Sequence, residues 1–200
     1  MTIVLATTNP GKAREVRTAL AGLAIDLRTL ADYPGLPPAV EDGDTFEANA
    51  RLKALHYARL IGEWTLADDS GLEVDALGGA PGVHSARYAG PEHDDRANNA
   101  RLVAALAGVP AERRTGRFRC VLALAQQERV CLTVTGAVEG RIVDDPAGAN
   151  GFGYDPHFFL PALGVTMAQL SPERKNALSH RGQALHALRP ALLELLEGER

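Results

Sequence analysis

The stretch Thr2-Ile-Val-Leu-Ala-Thr-Thr-Asn-Pro-Gly-Lys12 decides the fold class, because an apolar run passes through a turn into a helical pattern. Thr2–Ala6 is short and apolar, as expected of a buried strand, and Asn9-Pro10-Gly11 is typical of a turn. The apolar residues that follow have helical spacing and predict the inner face of a helix: Ala13, Val16, Leu20 and Leu23. The chain therefore opens as strand, loop and helix.

Further along the chain, strands and helices continue to alternate. Asp44 is predicted to cap a helix that extends to about Ile61, because Glu47 stands three residues on, as in a capping box. Arg117–Ala125 and Arg129–Thr135 alternate in hydrophobicity and predict a hairpin. The other predicted elements are strands at Ile25–Leu30, Thr65–Ala67 and Gly136–Val143, a helix over about Glu92–Ala107, and a helical region that begins at Ser171-Pro172 and is interrupted around His180–Gly182.

This order of elements predicts an α/β fold with a mixed central sheet flanked by helices. We expect two lobes with an active-site cleft between them, within a single domain over residues 1–200. A chain of this length buries roughly 70 % of the surface that its unfolded form exposes, which is enough for a sizeable core.

The overall charge of the chain excludes a general attraction to polyanions. The formal net charge is -4, so we expect neither nucleic acid nor an anionic membrane as a partner, and an anionic ligand would need a local basic cluster. No signal peptide or apolar run of membrane-spanning length is apparent, which favours a cytoplasmic protein. Cys120 and Cys131 stand in apolar alternating stretches and are expected to be buried, reduced thiols.

Lysine is rare in this chain. The 21 basic residues comprise 18 arginines and only Lys12, Lys53 and Lys175. A lysine retained against such a bias can mark a need for a compact point charge, and gripping a phosphate is one such need. The alternative is that the three lysines carry no common function.

The loop Thr7–Lys12 lies between the first strand and the first helix. Backbone N–H groups, the helix N-terminus and Lys12 would converge there on an anion. The loop is not a Walker A motif, because only Gly11-Lys12 match and Ala13 stands where the metal-binding hydroxyl belongs. Local pattern alone leaves phosphate binding and an ordinary tight turn both open.

Carboxylates are concentrated in Asp68-Asp69-Ser70-Gly71, which is predicted to follow the strand Thr65–Ala67, and Glu41 precedes them in a loop. Two or three carboxylates at a strand end suit a hard cation that is bound through oxygen and bridges to substrate phosphates. The alternative is a hydrogen-bonded Asp-Ser-Gly turn.

Two further segments could contact a base. In Gly151-Phe152-Gly153-Tyr154-Asp155-Pro156, the glycines would let a flat base approach and stack on Phe152, or the aromatics could be buried anchors of a turn. The polar residues of Ser179-His180-Arg181-Gly182, together with Lys175, interrupt a leucine-rich helical region. They either present hydrogen-bond donors to a ligand or have a structural role.

Taken together, these segments resemble the inosine triphosphate pyrophosphatase family, also called XTP/dITP diphosphatases, over essentially all 200 residues. Two departures are Thr8, where bacterial relatives often carry Gly, and Val40 before Glu41, where some have a second acid. The matching motifs are Thr7–Lys12, Thr45–Ala50 with Lys53, Ala67–Leu72, Gly78–Gly82 with Ser85–Tyr88, Gly151–Pro156 and Ser179–Gly182.

The resemblance implies a homodimeric enzyme that uses Mg²⁺ to hydrolyse ITP, dITP or XTP to nucleoside monophosphate and pyrophosphate, and so cleanses the nucleotide pool. It implies that Asp69 is the general base and a metal ligand, with Glu41 completing the metal site. The implied cations around the phosphates are Lys12, Lys53, Lys175 and the metal. The implied substrate-binding residues are Thr7, Thr8, Asn9, Pro10, Gly11, Lys12, Lys53, Ser70, Phe152, Gly153, Tyr154, Asp155, Lys175, His180 and Arg181.

Base selection is expected to follow hydrogen-bond polarity, because inosine and xanthosine present an acceptor at C6 and adenine presents a donor. Donors from Arg181 or nearby backbone would reject adenine by leaving buried groups unpaired. Two alternatives remain: a pyrophosphatase for standard or pyrimidine triphosphates, and a nucleotide sensor without catalysis. Retention of Asp69 and of every lysine argues against the sensor.

Overall fold

The computed structural model describes residues 1–198, which form five helices and one seven-stranded sheet. The helices are α1 Pro10–Ala19, α2 Phe46–Ile61, α3 Asp95–Ala105, α4 Pro172–Leu178 and α5 His180–Gly198. The strands are β1 Thr2–Ala6, β2 Asp26–Thr29, β3 Trp64–Val74, β4 Thr115–Gln126, β5 Arg129–Ile142, β6 Phe158–Leu160 and β7 Val165–Thr166.

The sheet is mixed, as predicted. Its strand order is β2-β1-β3-β4-β5-β6-β7. β1 runs parallel to β2 and β3, whereas β6 runs antiparallel to β5 and β7. The prediction of an α/β fold with helices beside a mixed sheet is therefore confirmed.

The chain forms two compact units, each with its own apolar core. Unit 1 comprises Met1–Asp69, Cys120–Gly136 and Arg181–Arg200, and unit 2 comprises Ser70–Arg119 and Ala137–His180. The core of unit 1 is built from β1, α1, β4 and α5, with Leu5, Val16, Leu122 and Leu188 among its buried residues. The core of unit 2 includes Leu72, Leu102, Phe118, Tyr154 and Phe158.

Two strands are longer than predicted. β3 continues through Asp68-Asp69-Ser70-Gly71 to Val74, so these polar residues lie inside a strand and the prediction that they follow its end is wrong. Likewise β5 includes the segment that was predicted as a separate strand at Gly136–Val143. Turn-forming residues mislead here because neighbouring strands and buried ion pairs, not local propensity, hold them extended.

The ends of α2 and α3 and the start of α4 lie within three residues of the prediction. α2 is capped by Thr45, whose hydroxyl accepts from the Ala48 N–H, and not by Asp44. Ser171 caps α4 as predicted, accepting from the Arg174 N–H. The helical region is interrupted at Ser179 alone, and α5 already begins at His180.

None of the helices in residues 1–198 combines the length and the apolar character that a bilayer crossing requires. Both cysteines are free thiols. Cys120 is buried, as expected, whereas Cys131 is only partly buried.

Candidate functional site

Local hydrogen bonds between side chains and backbone stabilise the segment that follows β1. Asn9 caps α1, and its Oδ1 accepts from the Lys12 N–H at 3.1 Å. Thr7 Oγ1 accepts from the Asn9 N–H at 3.1 Å, and Pro10 occupies the first helical position, where no donor is needed. Thr8, Asn9 and Pro10 are exposed and Gly11 is half-buried, so the predicted phosphate loop lies at the surface of unit 1.

Strand register brings the acidic segment of β3 to this loop. The parallel pairing of β1 with β3 ends where Ala6 faces Ala67. Asp68 and Asp69 therefore come just where β1 stops and where the segment that leads into α1 at Pro10 begins. Although they lie within β3, they lie at the carboxyl end of its parallel pairing, which is where α/β sheets place ligands.

Asp68 is a fully buried carboxylate held by two cations. Lys12 Nζ lies 2.5 Å from Asp68 Oδ1, and Arg181 Nε lies 2.7 Å from Asp68 Oδ2. Burial disfavours its charge, but the charges of Arg181 and Lys12 outweigh burial and hold the pKa of Asp68 well below its usual range. Asp68 is therefore a permanently charged anchor and a poor candidate for a proton acceptor.

Arg181 forms a second ion pair, with Glu15. Its Nη1 lies 2.6 Å from Glu15 Oε2, so the guanidinium joins α5 to α1 as well as to β3. Its neighbour His180 belongs to unit 2, where the imidazole stacks on Phe118 with ring centroids 4.8 Å apart. The structure thus places the two side chains of the predicted His-Arg pair against different partners. Glu15 was missed by the sequence reasoning, because an acid on a helix beside a basic residue has no distinctive local pattern.

Asp69 forms its ion pair with Lys53. Lys53 Nζ lies 3.6 Å from Asp69 Oδ1 and 2.8 Å from Glu41 Oε2, so one lysine gathers both predicted metal ligands. Lys53 also donates to the Asp68 carbonyl at 3.3 Å. Asp69 Oδ2 is buried and has no hydrogen-bond partner among residues 1–198.

The environment of Asp69 suits proton transfer. Burial, partly opposed by the charges of Lys53 and Lys12, raises the pKa of Asp69 to about 6. Lys53 is itself buried, which opposes its charge, but Asp69 and Glu41 more than compensate and raise the pKa of its ammonium. A carboxylate with a pKa close to neutrality, next to a fixed ammonium, can accept a proton from water near physiological pH.

Two carboxylates of this cluster could hold a divalent metal ion. No group of three or more His, Cys, Asp or Glu side chains with the arrangement of a complete metal cage occurs in residues 1–198. Mg²⁺ is commonly held by one or two carboxylates, with waters and substrate phosphates as its other ligands. Asp69 and Glu41 supply two carboxylates, and the unpartnered Asp69 Oδ2 is an oxygen available for a cation.

A second cluster, in unit 2, surrounds Phe152. Asp155 Oδ2 accepts from the Phe152 N–H at 2.9 Å and from Lys175 Nζ at 2.7 Å. Lys175 Nζ also lies 4.6 Å from the centroid of the Phe152 ring, within the range of a cation–π contact. Gly151 has φ +81°, and a Cβ there would lie 2.0 Å from Asp155 Oδ2, so this turn requires glycine.

The three lysines have different neighbours within their own units. Lys12 and Lys53 lie beside Asp68 and Asp69 in unit 1, whereas Lys175 belongs to the Phe152 cluster in unit 2. Its ammonium is almost fully buried and contacts an aromatic face. Lys175 thus lies with the residues predicted to contact a base.

The two aromatic residues of this loop have different environments. Tyr154 is part of the unit 2 core, and its hydroxyl donates to the Ser85 carbonyl at 2.7 Å. Phe152 is half-buried and is not among the residues of that core. Of the two alternatives weighed for these aromatics, the buried anchor describes Tyr154, and Phe152 retains an accessible ring. Ser70, the last predicted site residue, is half-buried on β3 and is the first residue of unit 2.

Comparison with known sequences identifies the family of the chain. The sequence model of the Ham1 family matches residues 3–191. The chain belongs to the Ham1 family. Its curated relatives in that family include dITP/XTP pyrophosphatases from Exiguobacterium sibiricum, 51% identical over 98% of this chain and 99% of the relative, and from Listeria monocytogenes, 49% identical over 98% and 96%.

Solved Ham1 structures have the same fold. A Ham1 protein from Coxiella burnetii has a TM-score of 0.89 with 42% identity, covering 97% of this chain and 99% of its own. A dITP/XTP pyrophosphatase from Mycobacterium abscessus has a TM-score of 0.77 with 44% identity, covering 96% and 100%. The seven-stranded mixed sheet is therefore the Ham1 fold in this chain.

Proposed function

We propose that this Ham1 chain is a hydrolase that cleaves the triphosphates of non-canonical purines, ITP, dITP and XTP, to nucleoside monophosphate and pyrophosphate. One observation carries the proposal: a buried Asp69 with a free oxygen beside Lys53 and Glu41, next to a strand–loop–helix opening that presents Lys12. The names of the relatives, which span nearly all of the chain, supply the substrate class.

In this proposal Asp69 accepts the proton of the attacking water, because its pKa of about 6 leaves it charged at neutral pH yet still basic. Lys12 and Lys53 neutralise charge on the phosphates, and Asp68 holds Lys12 in place from a buried position. Asp69 and Glu41 would hold Mg²⁺, which when bound would neutralise phosphate charge and template the phosphate oxygens.

The base is proposed to stack on Phe152. Stacking on an aromatic face is worth roughly 1–3 kcal/mol for a nucleobase. Lys175, an ammonium beside that ring, is a donor suited to the C6 oxygen of inosine or xanthosine and unsuited to the C6 amino group of adenine. This assigns to Lys175 the recognition that the sequence reasoning gave to Arg181, whose Nε and Nη1 are bound by Asp68 and Glu15.

The finer features that we propose rest on the family resemblance. They are Mg²⁺ as the cofactor, a homodimer, a cytoplasmic location with the nucleotide pool, and one functional domain over residues 1–200. Neither nucleic acid nor a membrane is proposed as a partner, given the formal net charge of -4.

A panel of nucleoside triphosphates with Mg²⁺ tests the function. The expected result is release of pyrophosphate, without orthophosphate, from ITP, dITP and XTP, with kcat/KM at least about a hundredfold above that for ATP. Equal activity on ATP, GTP or pyrimidine triphosphates would support the alternative of a general pyrophosphatase. Tight binding of ITP without turnover would support the nucleotide sensor.

A further inference from the structure

The residue after Phe152 is held by side chains from another element. The Gly153 N–H donates to Asp95 Oδ2 at 2.7 Å, and the Gly153 carbonyl accepts from Asn99 Nδ2 at 2.8 Å. The acid, Asp95, and the amide, Asn99, both come from α3, which belongs to the same unit as Gly153. Both backbone polar groups of one loop residue are therefore bound by one helix. We name this pair, Asp95 and Asn99, the α3 clamp.

The clamp is built as a unit. Asp95 and Asn99 are four residues apart, so they lie on one face of α3, one turn from each other. Asn99 Nδ2 also donates to the Asp95 carbonyl at 2.8 Å, which fixes the amide with respect to the helix. Its other atom, Oδ1, is buried without a hydrogen-bond partner among residues 1–198, so the amide is fixed through its nitrogen alone.

Phe152 is thereby fixed from both sides. Its own N–H is bound by Asp155, which Lys175 holds in turn, and the next peptide is bound by the α3 clamp. Gly153 has φ +62°, a conformation that glycine adopts freely but does not by itself prefer. Without the clamp the loop would populate other conformations, and ordering it would oppose ligand binding.

We propose that the α3 clamp positions Phe152 for the purine ring, so that Asp95 and Asn99 determine base affinity without touching the base. This inference rests on the proposed function. It predicts that loss of the clamp weakens the binding of every ligand that carries the base and leaves the binding of ligands that carry only phosphates unchanged.

The test uses Asp95→Ala and Asn99→Ala in the full chain with Mg²⁺. For each variant, the KM for ITP should rise about tenfold, the effect of one lost hydrogen bond at the upper end of its usual range, with kcat within about threefold of wild type. As product inhibitors, inosine monophosphate should bind about tenfold more weakly and pyrophosphate equally well. A purely structural role would not separate the two products.

Three variants sharpen the comparison. Asp94→Ala removes the N-cap of α3, whose side chain binds the Arg96 and Ala97 N–H groups and not Gly153, so it should lower Tm without changing KM. Asp95→Asn keeps an acceptor and should restore KM to within about threefold of wild type. Asn99→Asp places a carboxylate against the carbonyls of Gly153 and Asp95, so it should raise the KM for ITP more than Asn99→Ala does.

The outcomes separate the two proposals. If wild type releases pyrophosphate from ITP but the clamp variants keep its KM and its affinity for inosine monophosphate, the inference about the clamp is overturned. The inference is also overturned if Asp94→Ala raises the KM for ITP as much as the clamp variants do. If wild type does not hydrolyse ITP, the proposed function fails, and calorimetry with inosine monophosphate on the same variants still decides the clamp: a tenfold loss supports it, and equal or absent binding overturns it.

Discussion

Replacing Asp69 with Asn should stabilise the metal-free protein while it abolishes most turnover. Burial, the larger influence, raises the pKa of Asp69 from an ordinary value of 3.8 to about 6. The folded chain thus holds this proton more tightly than the unfolded chain, so stability falls as pH rises from about 4 to 6 and the loss is complete above that window. A shift of about 2 units corresponds to about 3 kcal/mol.

The neutral, nearly isosteric Asn avoids this loss. Lys53 then keeps Glu41 but loses its second carboxylate, so about 3 kcal/mol is the upper limit and we expect about 1–3 kcal/mol at pH 7.5. For a chain of this size that is roughly 2–12 °C in Tm. The gain should shrink as pH falls from 7.5 to 4.5 and vanish only below the ordinary pKa of 3.8, where the carboxyl is protonated in both states. Turnover should fall by roughly 10²–10⁴, the usual worth of a general base.

The neighbouring carboxylate provides the matched control. Asp68→Asn makes the same chemical change one residue away, but leaves Lys12 and Arg181 without their shared anion. Breaking a buried pair in this way costs about 3–5 kcal/mol, so the two variants should move Tm in opposite directions.

Thermal denaturation in chelator at pH 4.5 and pH 7.5, with steady-state pyrophosphate release on the same preparations, measures both quantities. Added Mg²⁺ should raise the Tm of wild type more than that of Asp69→Asn, since the substitution removes a proposed ligand. Destabilisation by Asp69→Asn at pH 7.5 would refute the electrostatic reasoning. Turnover within a few-fold of wild type would show that Asp69 is not the base, and Glu41 would be tested next.

Three further predictions concern the cations and the loop. Lys12→Arg and Lys53→Arg should each lower kcat/KM for ITP by about tenfold or more, because a planar guanidinium cannot replace a point charge of that reach; near-normal kinetics in both would contradict this. Phe152→Ala should raise KM for ITP and XTP alike with kcat little changed, and a loss of folding with unchanged affinity in the surviving fraction would make it a core residue. Gly151→Ala, strained at φ +81° and colliding with Asp155 Oδ2, should lower stability by more than about 1 kcal/mol in urea denaturation, and a wild-type midpoint would show that the turn can relax.

Sequence reasoning succeeded where the signal was local. The strand–loop–helix opening was predictable because apolar period and turn residues fall within a short window. The structure has β1 as predicted, whereas α1 begins at Pro10, inside the predicted turn, and ends at Ala19, before Leu23. The α/β class followed from the same kind of signal. Relatives and solved structures of the Ham1 family support both.

Sequence reasoning failed where contacts between distant residues determine the structure. Asp68 and Asp69 look like a turn, but pairing in the sheet and ion pairs with Lys12, Lys53 and Arg181, all distant in sequence, keep them extended in β3. β6 and β7 have three and two residues, too few for any period to be visible. The α3 clamp was missed because its acid and its amide bind a glycine backbone 58 and 54 residues away, respectively, which leaves no pattern along the chain.

Neither unit of this protein is continuous along the gene. Unit 1 is assembled from three stretches of sequence and unit 2 from two, and the chain changes unit between Asp69 and Ser70 and again between His180 and Arg181. The α3 clamp and the Phe152 cluster come from different stretches of unit 2, because Asp95 and Asn99 lie in the first stretch and Phe152, Asp155 and Lys175 in the second. Exchange of either stretch alone with a related sequence would therefore combine the clamp of one sequence with the Phe152 loop of another.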